Sequence, residues 1–287
     1  MSRLMAADHV SQVCDLRIVS INISGLKRKT NYIRSSIGRL KPDFLLLQET
    51  NVCKDYNKES YIQQIGVDSD RSFFNYAFTK ANGTCILCLS NSWNFKNVMY
   101  YDEGRTIELD IRQNDCEFKL INVYAPTNPT NRRVFFDTLL RRLSSRPQRE
   151  NVILAGDFNV TLQDMDTTGK KDSHNYGRDE LQSIIDFLRV KDCFRNLHPN
   201  SRETTFSSKT HNSSSRLDRI YVPNNVSISE VKHLPFTLDF TDHKGIMISS
   251  CSKTSDRGKF YGHWKFNDSL LENEEFIFAI KETIHAN

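Results

Sequence analysis

The chain has 287 residues, of which 38% are hydrophobic and 26% are charged, with a formal net charge of +4 and a pI of about 8.6. This composition fits a globular protein of one large or two small domains and excludes a mini-protein that depends on disulfides. No run approaches the roughly 20 apolar residues that a membrane span needs, and residues 1–9 lack a long apolar segment. We therefore expect a soluble intracellular protein that has no membrane partner and is not secreted.

Short apolar segments separated by turn residues dominate the first half of the chain. The pattern predicts a helix at 31–40 and strands at 16–23, 44–47, 73–79, 84–90, 97–101, 106–112 and 117–124. Asn82-Gly83 is a hairpin signal, and the succession of strands favours an antiparallel meander.

The second half alternates helices with strands. It predicts helices at 134–143 and Arg178–Leu188 and strands at 151–155, 217–222 and 246–250. This order is typical of a four-layer α/β sandwich, in which two mixed, mostly antiparallel sheets are flanked by helices, rather than of a βαβ Rossmann pattern. The sandwich would occupy residues 14–252, after a flexible N-terminus at 1–13. Residues 253–287 begin with a polar linker and end in an amphipathic piece.

The cysteines and the basic residues give weaker indications of function. The seven cysteines are scattered, which favours buried free thiols in a reducing compartment over disulfides. Cys85 and Cys88 have redox or zinc spacing, but no second pair or nearby histidine pair supports such a site. Two basic clusters, at 27–41 and 132–149, fit either anionic partners or solvated helix faces.

The segment LAGDFN at 154–159 is the strongest candidate for a reactive site. If the strand continues through it, Asp157 and Asn159 point together while Phe158 points into the core. Asp157 would then accept a proton from an attacking water or orient it, and Asn159 would donate to a phosphate oxygen. The same letters also fit an ordinary strand-to-loop corner.

Other polar residues follow predicted strands, where the ends of adjacent strands can converge on one crevice. Glu49 follows buried apolar residues and suits Mg²⁺, although a solvated loop carboxylate has the same pattern. His243 is either a catalytic residue or a loop histidine, and Asp218 is the better candidate to orient it because Asp242 points the other way. The residues of this set are Asn22, Glu49, Tyr124, Asp157, Asn159, Asp218, Asp242 and His243.

Taken in order, these motifs resemble the exonuclease–endonuclease–phosphatase superfamily, whose fold includes pancreatic deoxyribonuclease and the apurinic/apyrimidinic endonucleases. The resemblance covers about residues 14–252 and rests on Asn22, QET at 48–50, NVYAP at 122–126, GDFN at 156–159, SRLDRIY at 215–221 and TDH at 241–243. Within it, the chain is most similar to the endonuclease domain of LINE-type, non-LTR retrotransposons. The grounds are Asn22-Ile-Ser-Gly-Leu26, Leu47-Gln-Glu-Thr50, Glu103-Gly-Arg-Thr106, Asn122-Val-Tyr-Ala-Pro126, Thr204-Thr-Phe-Ser207 and Trp264-Lys-Phe-Asn267.

The resemblance implies a role for each residue. Asn22 and Glu49 would hold Mg²⁺, or Mn²⁺ as a substitute, with Asp242 near the metal. Asp157 would activate the water, and Asn159 and Tyr124 would donate to the phosphate as its charge builds. His243, held by Asp218, would bind a non-bridging oxygen or help to move the proton. Ser24 departs from the N-x-D of the apurinic-site enzymes, which argues against simple membership of the repair subgroup.

The resemblance also implies the DNA contacts. The loop at 207–215 would be a hairpin pressed into the minor groove, although such a polar loop can equally have no partner. The candidate DNA-binding residues are Lys209, His211, Asn212, Arg216, Arg219 and Arg105, with Arg219 alternatively capping its strand.

The resulting hypothesis is an endonuclease, expected to be monomeric, that nicks one strand of duplex DNA. The nick would leave a 3′ hydroxyl to prime a reverse transcriptase domain of the parent polyprotein, which residues 253–287 would lead into. The protein would be made in the cytoplasm and act in the nucleus. The alternatives are an apurinic/apyrimidinic repair endonuclease, a phosphoinositide phosphatase or sphingomyelinase, and a catalytically silent DNA-binding module.

Overall fold

Short apolar segments form the strands of the computed structural model, and the inner strands, such as Phe44–Gln48 and Val152–Asp157, are buried on both faces. The structure describes residues 15–53, 58–76, 82–146, 151–169, 176–208, 210, 212–235 and 240–250. In chain order the elements are β1 (Leu16–Asn22), α1 (Thr30–Leu40), β2 (Phe44–Gln48), α2 (Lys58–Ile65), β3 (Ser72–Asn75), β4 (Thr84–Cys88), β5 (Asn94–Tyr101), β6 (Thr106–Gln113), β7 (Cys116–Tyr124), α3 (Pro129–Ser144), β8 (Val152–Asp157), α4 (Arg178–Leu188), β9 (Val190–Asp192), α5 (Cys193–Leu197), β10 (Phe206–Ser208), β11 (Ser213–Ser215), β12 (Asp218–Pro223), β13 (Glu230–Leu234) and β14 (Gly245–Ser250). Short 3₁₀ turns lie at Ser69–Arg71 and Asp164–Asp166.

These strands form two six-stranded sheets and a separate hairpin of β10 and β11. The first sheet has the order β13-β14-β1-β2-β4-β3 and the second has the order β5-β6-β7-β8-β12-β9. Each sheet contains one parallel pair, β1 with β2 and β7 with β8, and its other pairs are antiparallel. The predicted mixed, mostly antiparallel architecture is therefore confirmed. The meander is found in β5–β7, whereas β3 and β4 belong to the other sheet.

Three apolar clusters separate the layers. One lies between the two sheets and includes Phe44 and Leu46 of β2. Leu45 and Leu47 of the same strand point the other way and pack with α1 and α2, and a third cluster joins the second sheet to α3 and α4. Period-two alternation thus buries both faces of β2, which produces the predicted four layers.

The same alternation argues against a redox or zinc site at Cys85 and Cys88. Cys85 packs in the cluster beneath α1 and α2, whereas Cys88 packs in the cluster between the sheets. Two residues three apart on one strand face opposite sides of the sheet, so these thiols cannot share a ligand. Both are free cysteines, and burial raises the pKa of each thiol.

The described residues lie within one compact unit, residues 1–253. The predicted flexible N-terminus at 1–13 and the tail at 253–287 lie outside the described residues, so their roles stay predictions. In the part of the chain that the structure describes, no helix combines the length and the apolar character needed to cross a bilayer.

Candidate active site

Strand pairing brings the polar strand ends of both sheets together. Asn22 and Gln48 are register partners at the ends of the parallel strands β1 and β2, and Tyr124 and Asp157 are partners at the ends of β7 and β8. Asp218, the first residue of β12, pairs with Asp157 from the other side. The carboxyl ends of parallel strands share an edge, so the pairing places these groups at one crevice.

Gly156 allows the central strand to carry Asp157 into this crevice. Its φ is +140°, and a Cβ at this position would overlap the carbonyl oxygen of Val123 in the neighbouring strand. Only glycine combines this backbone angle with so close an approach. The Gly-Asp sequence is therefore required by the β7–β8 pairing as well as by the chemistry of the aspartate.

The chain turns immediately after Asp157, which corrects the expectation that the strand continues. Asn159 has a left-handed φ of +51°, and its backbone N–H donates to Asp157 Oδ1 at 2.9 Å. Its side-chain Nδ2 donates to the carbonyl of Ala125 at 2.9 Å. Asn159 therefore reaches the site through an Asx-type turn rather than through strand alternation. Phe158 is fully buried, as the pattern predicted.

One asparagine joins the two halves of the site. Asn22 is fully buried, and its Nδ2 donates to Asp157 Oδ2 at 2.9 Å and to Glu49 Oε2 at 3.1 Å. Tyr124 Oη donates to the same Glu49 oxygen at 3.4 Å. The Asn22 side-chain oxygen accepts from the backbone N–H of Ser24 at 3.0 Å and keeps a second lone pair.

His243 is held on three sides. Its Nδ1 donates to Asp218 Oδ2 at 2.9 Å, and its Nε2 lies 3.9 Å from Asp157 Oδ2. The hydroxyl of Thr241 accepts from the His243 backbone N–H and donates to the carbonyl of Asn22 at 2.9 Å. Asp218 thus makes the contact that the sequence predicted, and Thr241, which sequence reasoning missed, ties His243 to β1.

Burial and charge set the protonation states. Burial, assisted by Asp218, raises the pKa of Asp157 above the usual range of a carboxyl. Burial favours the neutral form of His243, but Asp218 and Asp157 outweigh this effect and raise its pKa to about 10. Burial and then the charge of Glu49 raise the pKa of Tyr124, so that its hydroxyl remains a donor. At neutral pH the crevice therefore presents an imidazolium and a phenol beside carboxylates.

The predicted metal ligands have donor chemistry that fits a hard divalent cation. Glu49 follows β2 in a left-handed conformation with φ of +54°, which is strained for a non-glycine residue and holds its carboxylate beside Asn22. Asp242 is exposed. Burial lowers the pKa of Lys29, whereas the charges of Glu49 and Asp242 oppose the shift, so both carboxylates lie near the same ammonium. Carboxylate and amide oxygens with open coordination positions suit Mg²⁺.

A second group of side chains could also hold a metal ion. One ligand atom from each of Asp157, Asp218 and His243 lies within 4.8 Å of the others, and all three residues are buried. Asp218 Oδ1 is buried and has no hydrogen-bond partner among the described residues. The described part of the chain thus offers two neighbouring positions for a cation, and the predicted one uses Asn22 and Glu49.

The six candidate DNA-binding residues differ in their exposure to solvent. Arg105 is partly exposed, with Nη1 donating to the Tyr124 carbonyl at 3.2 Å and its guanidinium 5.3 Å from the Tyr124 ring centre. Asn212 is exposed between β10 and β11, where DNA can reach it. Lys209 and His211 lie outside the described residues.

Arg216 and Arg219 correct the prediction, because their side chains are buried. Arg216 Nε lies 2.9 Å from Asp166 Oδ1, and Arg219 Nη2 lies 3.2 Å from Asp166 Oδ2. Arg195 pairs with the same carboxylate at 2.7 Å. Burial would raise the pKa of Asp166, but Arg219 and Arg216 hold it well below its usual range. These arginines neutralise a buried acid instead of contacting a phosphate.

The second basic cluster is also largely engaged within the protein. Arg142 of α3 and Arg146, which follows the helix, both pair with the buried Glu108, and Arg132 is buried and donates to backbone carbonyls, including that of Thr127. In the first cluster Lys27 and Arg28 are exposed beside the end of β1. Among the described residues, the exposed charges of the second cluster are Arg133 and Arg141 on α3, whereas Lys27 and Arg28 of the first cluster follow the strand that ends at Asn22.

The strand ends of the two sheets bring together the His243–Asp218 pair, the carboxylates of Asp157 and Glu49, and the Tyr124 phenol. This set of groups is typical of a hydrolytic enzyme of the phosphodiesterase type. The chain belongs to the Endonuclease/Exonuclease/phosphatase family, whose model matches residues 19–252. This result confirms the superfamily assignment and the fold expected from the motifs.

Similar proteins narrow the assignment to nucleases. The "Transposon TX1 uncharacterized 149 kDa protein" of Xenopus laevis is 28% identical over 243 residues, which cover 83% of this chain and only 18% of that relative. An exodeoxyribonuclease of Bacillus subtilis (strain 168) is 26% identical over 209 residues, covering 64% of this chain and 76% of the relative. An AP endonuclease structure from Archaeoglobus fulgidus shares the fold, with a TM-score of 0.69 at 20% identity, and the match covers 81% of this chain and 98% of that one. The chain is a hydrolytic nuclease with a transposon-encoded relative.

Proposed function

We propose that this nuclease is a Mg²⁺-dependent endonuclease that nicks one strand of duplex DNA and leaves a 3′ hydroxyl for target-primed reverse transcription. The observation that carries the proposal is the array in which Asn22 joins Glu49 to Asp157 while His243 lies between Asp157 and Asp218. The transposon relative supports a role in retrotransposition.

The residues divide the reaction among themselves. Asp157, as the carboxylate, orients the attacking water and accepts its proton. The Asn159 amide and the Tyr124 hydroxyl donate to the phosphate oxygens as negative charge builds, and the imidazolium of His243 binds a non-bridging oxygen. Water adds to phosphorus, the bond to the 3′ oxygen breaks, and that oxygen takes up a proton, which yields a 3′ hydroxyl and a 5′ phosphate. When bound, Mg²⁺ neutralises phosphate charge, and Asn22, Glu49 and Asp242 would hold it.

The proposed partners are a double-stranded DNA target and the reverse transcriptase domain of a parent polyprotein. The transposon relative supports this arrangement, because the chain spans 18% of its length. The isolated domain would act as a monomer, and its site of action would be the nucleus, where the target DNA lies. Arg105, beside Tyr124, and Asn212, in the hairpin, would contact the DNA.

Supercoiled plasmid tests the proposal. Asp157→Ala and His243→Ala should each lower the rate of nicking by about 1,000-fold or more, because they remove the groups that handle the proton and the phosphate charge. Binding to the same DNA should be largely retained. Asp186→Ala and His198→Ala replace exposed residues of the same types and should leave nicking unchanged. Nicking that persists in both site variants would refute the assignment.

The product and the substrate separate the rival functions. Labelling of the nicked ends should show a 3′ hydroxyl that a polymerase extends. A repair endonuclease would instead cut abasic duplex in strong preference to intact plasmid, and a phosphoinositide phosphatase or sphingomyelinase would hydrolyse its lipid in preference to DNA. Either preference would replace the retrotransposition proposal.

A further inference from the structure

The base of the β10–β11 hairpin touches the catalytic histidine directly. The Phe206 ring lies against the His243 ring, with centroids 4.9 Å apart and planes inclined at 45°. The two residues also form an antiparallel bridge. Backbone hydrogen bonds on both sides of this bridge, Ser207 N to Asp242 O at 3.1 Å and Lys244 N to Thr205 O at 2.6 Å, fix the hairpin base to the histidine segment.

The preceding residue holds the other member of the His–Asp pair. Thr205 is 1% exposed, and its hydroxyl oxygen accepts from the backbone N–H groups of Leu217 at 3.0 Å and Asp218 at 3.1 Å. Its own N–H donates to the carbonyl of Ser215 at 3.1 Å. The dipeptide Thr205-Phe206 therefore contacts both Asp218 and His243.

The second hairpin strand is held equally firmly. Thr168 N donates to Ser214 O at 2.9 Å, and Ser214 N donates to the Thr168 hydroxyl at 2.9 Å. The segment that contains Thr168 follows Asp166, whose carboxylate pairs with the buried Arg216. The two-stranded hairpin is thus held at its base by the segment at 167–168 on one side and by the segment that carries His243 on the other.

We propose that Phe206 is a positioning residue that couples the hairpin to catalysis by holding the His243 ring with Nδ1 on Asp218 and Nε2 facing Asp157. The Asp218 hydrogen bond fixes one edge of the imidazole, and the tilted Phe206 ring packs against the imidazole ring. Without this contact the imidazole can tilt about the hydrogen bond, and Nε2 no longer faces Asp157. The inference rests on the proposed nuclease function and extends it to the residue of the hairpin base that positions the reacting group.

Single-turnover and steady-state nicking of a defined duplex by the full chain tests this coupling. Phe206→Leu should lower kcat by about 10- to 100-fold, the range expected when a reacting group is misplaced. KM should stay within about twofold, because the hairpin turn that would contact the DNA is unchanged. Phe206→Tyr keeps the ring and should restore most of kcat. Asn212→Ala at the turn should alter KM or the pattern of cleavage sites without lowering kcat.

A matched aromatic pair elsewhere controls for general loss of packing. Phe95 makes an edge contact with Phe73 at 5.2 Å, between β5 and β3 and outside the active site, so Phe95→Leu should leave kcat and KM unchanged. Phe206→Met, whose flexible side chain has about the volume of leucine and no ring, provides the same comparison should Phe206→Leu fail to fold. An unchanged kcat in a folded Phe206→Leu or Phe206→Met protein, or a change in KM alone, would overturn the proposal.

Nuclear magnetic resonance of the His243 ring nitrogens distinguishes failure of this inference from failure of the proposed function. Without DNA, the Phe206→Leu protein should show shifted His243 Nδ1 and Nε2 signals, and the Phe95→Leu protein should not. Absence of nicking by the wild-type chain would refute the nuclease proposal, whatever these signals show. Unchanged ring signals in Phe206→Leu would refute the coupling even in an active enzyme.

Discussion

Two buried carboxylates share one imidazole at the centre of the site. Asp157 and Asp218 are opposite each other in neighbouring strands, and each acts on the other as a like charge. The ionisation of both carboxyl groups in a buried site has a large free-energy cost unless a cation lies between them. His243 supplies that cation, which explains why its pKa is raised although burial alone would lower it.

The rate of nicking should therefore depend on pH through two groups. Asp157 must be deprotonated, so the rate rises as pH increases through its raised pKa. His243 must be protonated, so the rate falls as pH increases through about 10. Asp218→Asn removes the carboxylate that contributes most to raising the His243 pKa, and the alkaline limb should move down by about 1–3 pH units. The measurement is kcat as a function of pH.

Another histidine–carboxylate pair serves as the control for this profile. Glu203 contacts His233 Nδ1 at 3.0 Å, and Glu203→Gln should leave both limbs in place. An alkaline limb that does not move in Asp218→Asn would show that His243 is not the group that titrates.

The spacing of apolar residues along the chain predicted most of the helices and strands. Helix α4 was predicted with its observed bounds, because Leu181, Ile184 and Ile185 form one apolar face. In the structure the helix ends at Leu188, and the next residue, Arg189, has a left-handed φ of +54°. The two sheets were predictable because their strands alternate. Cross-sheet contacts such as Asn22 with Asp157 were not predictable from periodicity, and motif order alone brought these residues together.

The elements that periodicity did not predict are short or polar. Strand β11 consists of three serines and has no apolar alternation, so the hairpin was expected from the family resemblance alone, and its pairing depends on Thr168 and on the first hairpin strand. Helix α2 and strands β9 and β13 were missed as well, as was the five-residue helix α5. The burial of Arg216 was invisible for a related reason, because its partner Asp166 lies 50 positions away and nothing local marks it.

Glycine positions in two elements should respond oppositely to the same substitution. Gly156→Ala places a Cβ against the Val123 carbonyl at a backbone angle of +140°, so β8 must move away from β7. We expect a loss of more than about 2 kcal/mol of unfolding free energy together with loss of nicking. Gly38 lies within α1 and has nothing within 4 Å of an added Cβ. Gly38→Ala should stabilise the protein by about 0.5–1 kcal/mol. Urea unfolding measures both, and a neutral Gly156→Ala would contradict the close approach.

The whole molecule places the site where the two sheets meet. Asn22 and Glu49 lie at the ends of β1 and β2, two inner strands of the first sheet, Asp157 and Asp218 come from the second sheet, and His243 precedes β14 of the first. A cation near Asn22 and Glu49 would therefore bind at the junction of the sheets and should stabilise the folded state. Chelation of the divalent cation should abolish nicking, and its readdition should restore it.

Calorimetric titration with Mg²⁺ or Mn²⁺ determines which of the two neighbouring positions the cation occupies. If Asn22 and Glu49 hold it, Glu49→Gln should weaken metal binding by at least about 10-fold, because it removes a charged ligand, whereas Asp218→Asn should change it much less. The opposite order would place the cation among Asp157, Asp218 and His243 and would make His243 a neutral ligand rather than an imidazolium. Glu203→Gln removes a partly exposed carboxylate outside the site and should leave the affinity unchanged. The titration needs no catalysis, so it assigns the metal position independently of the DNA that the enzyme cuts.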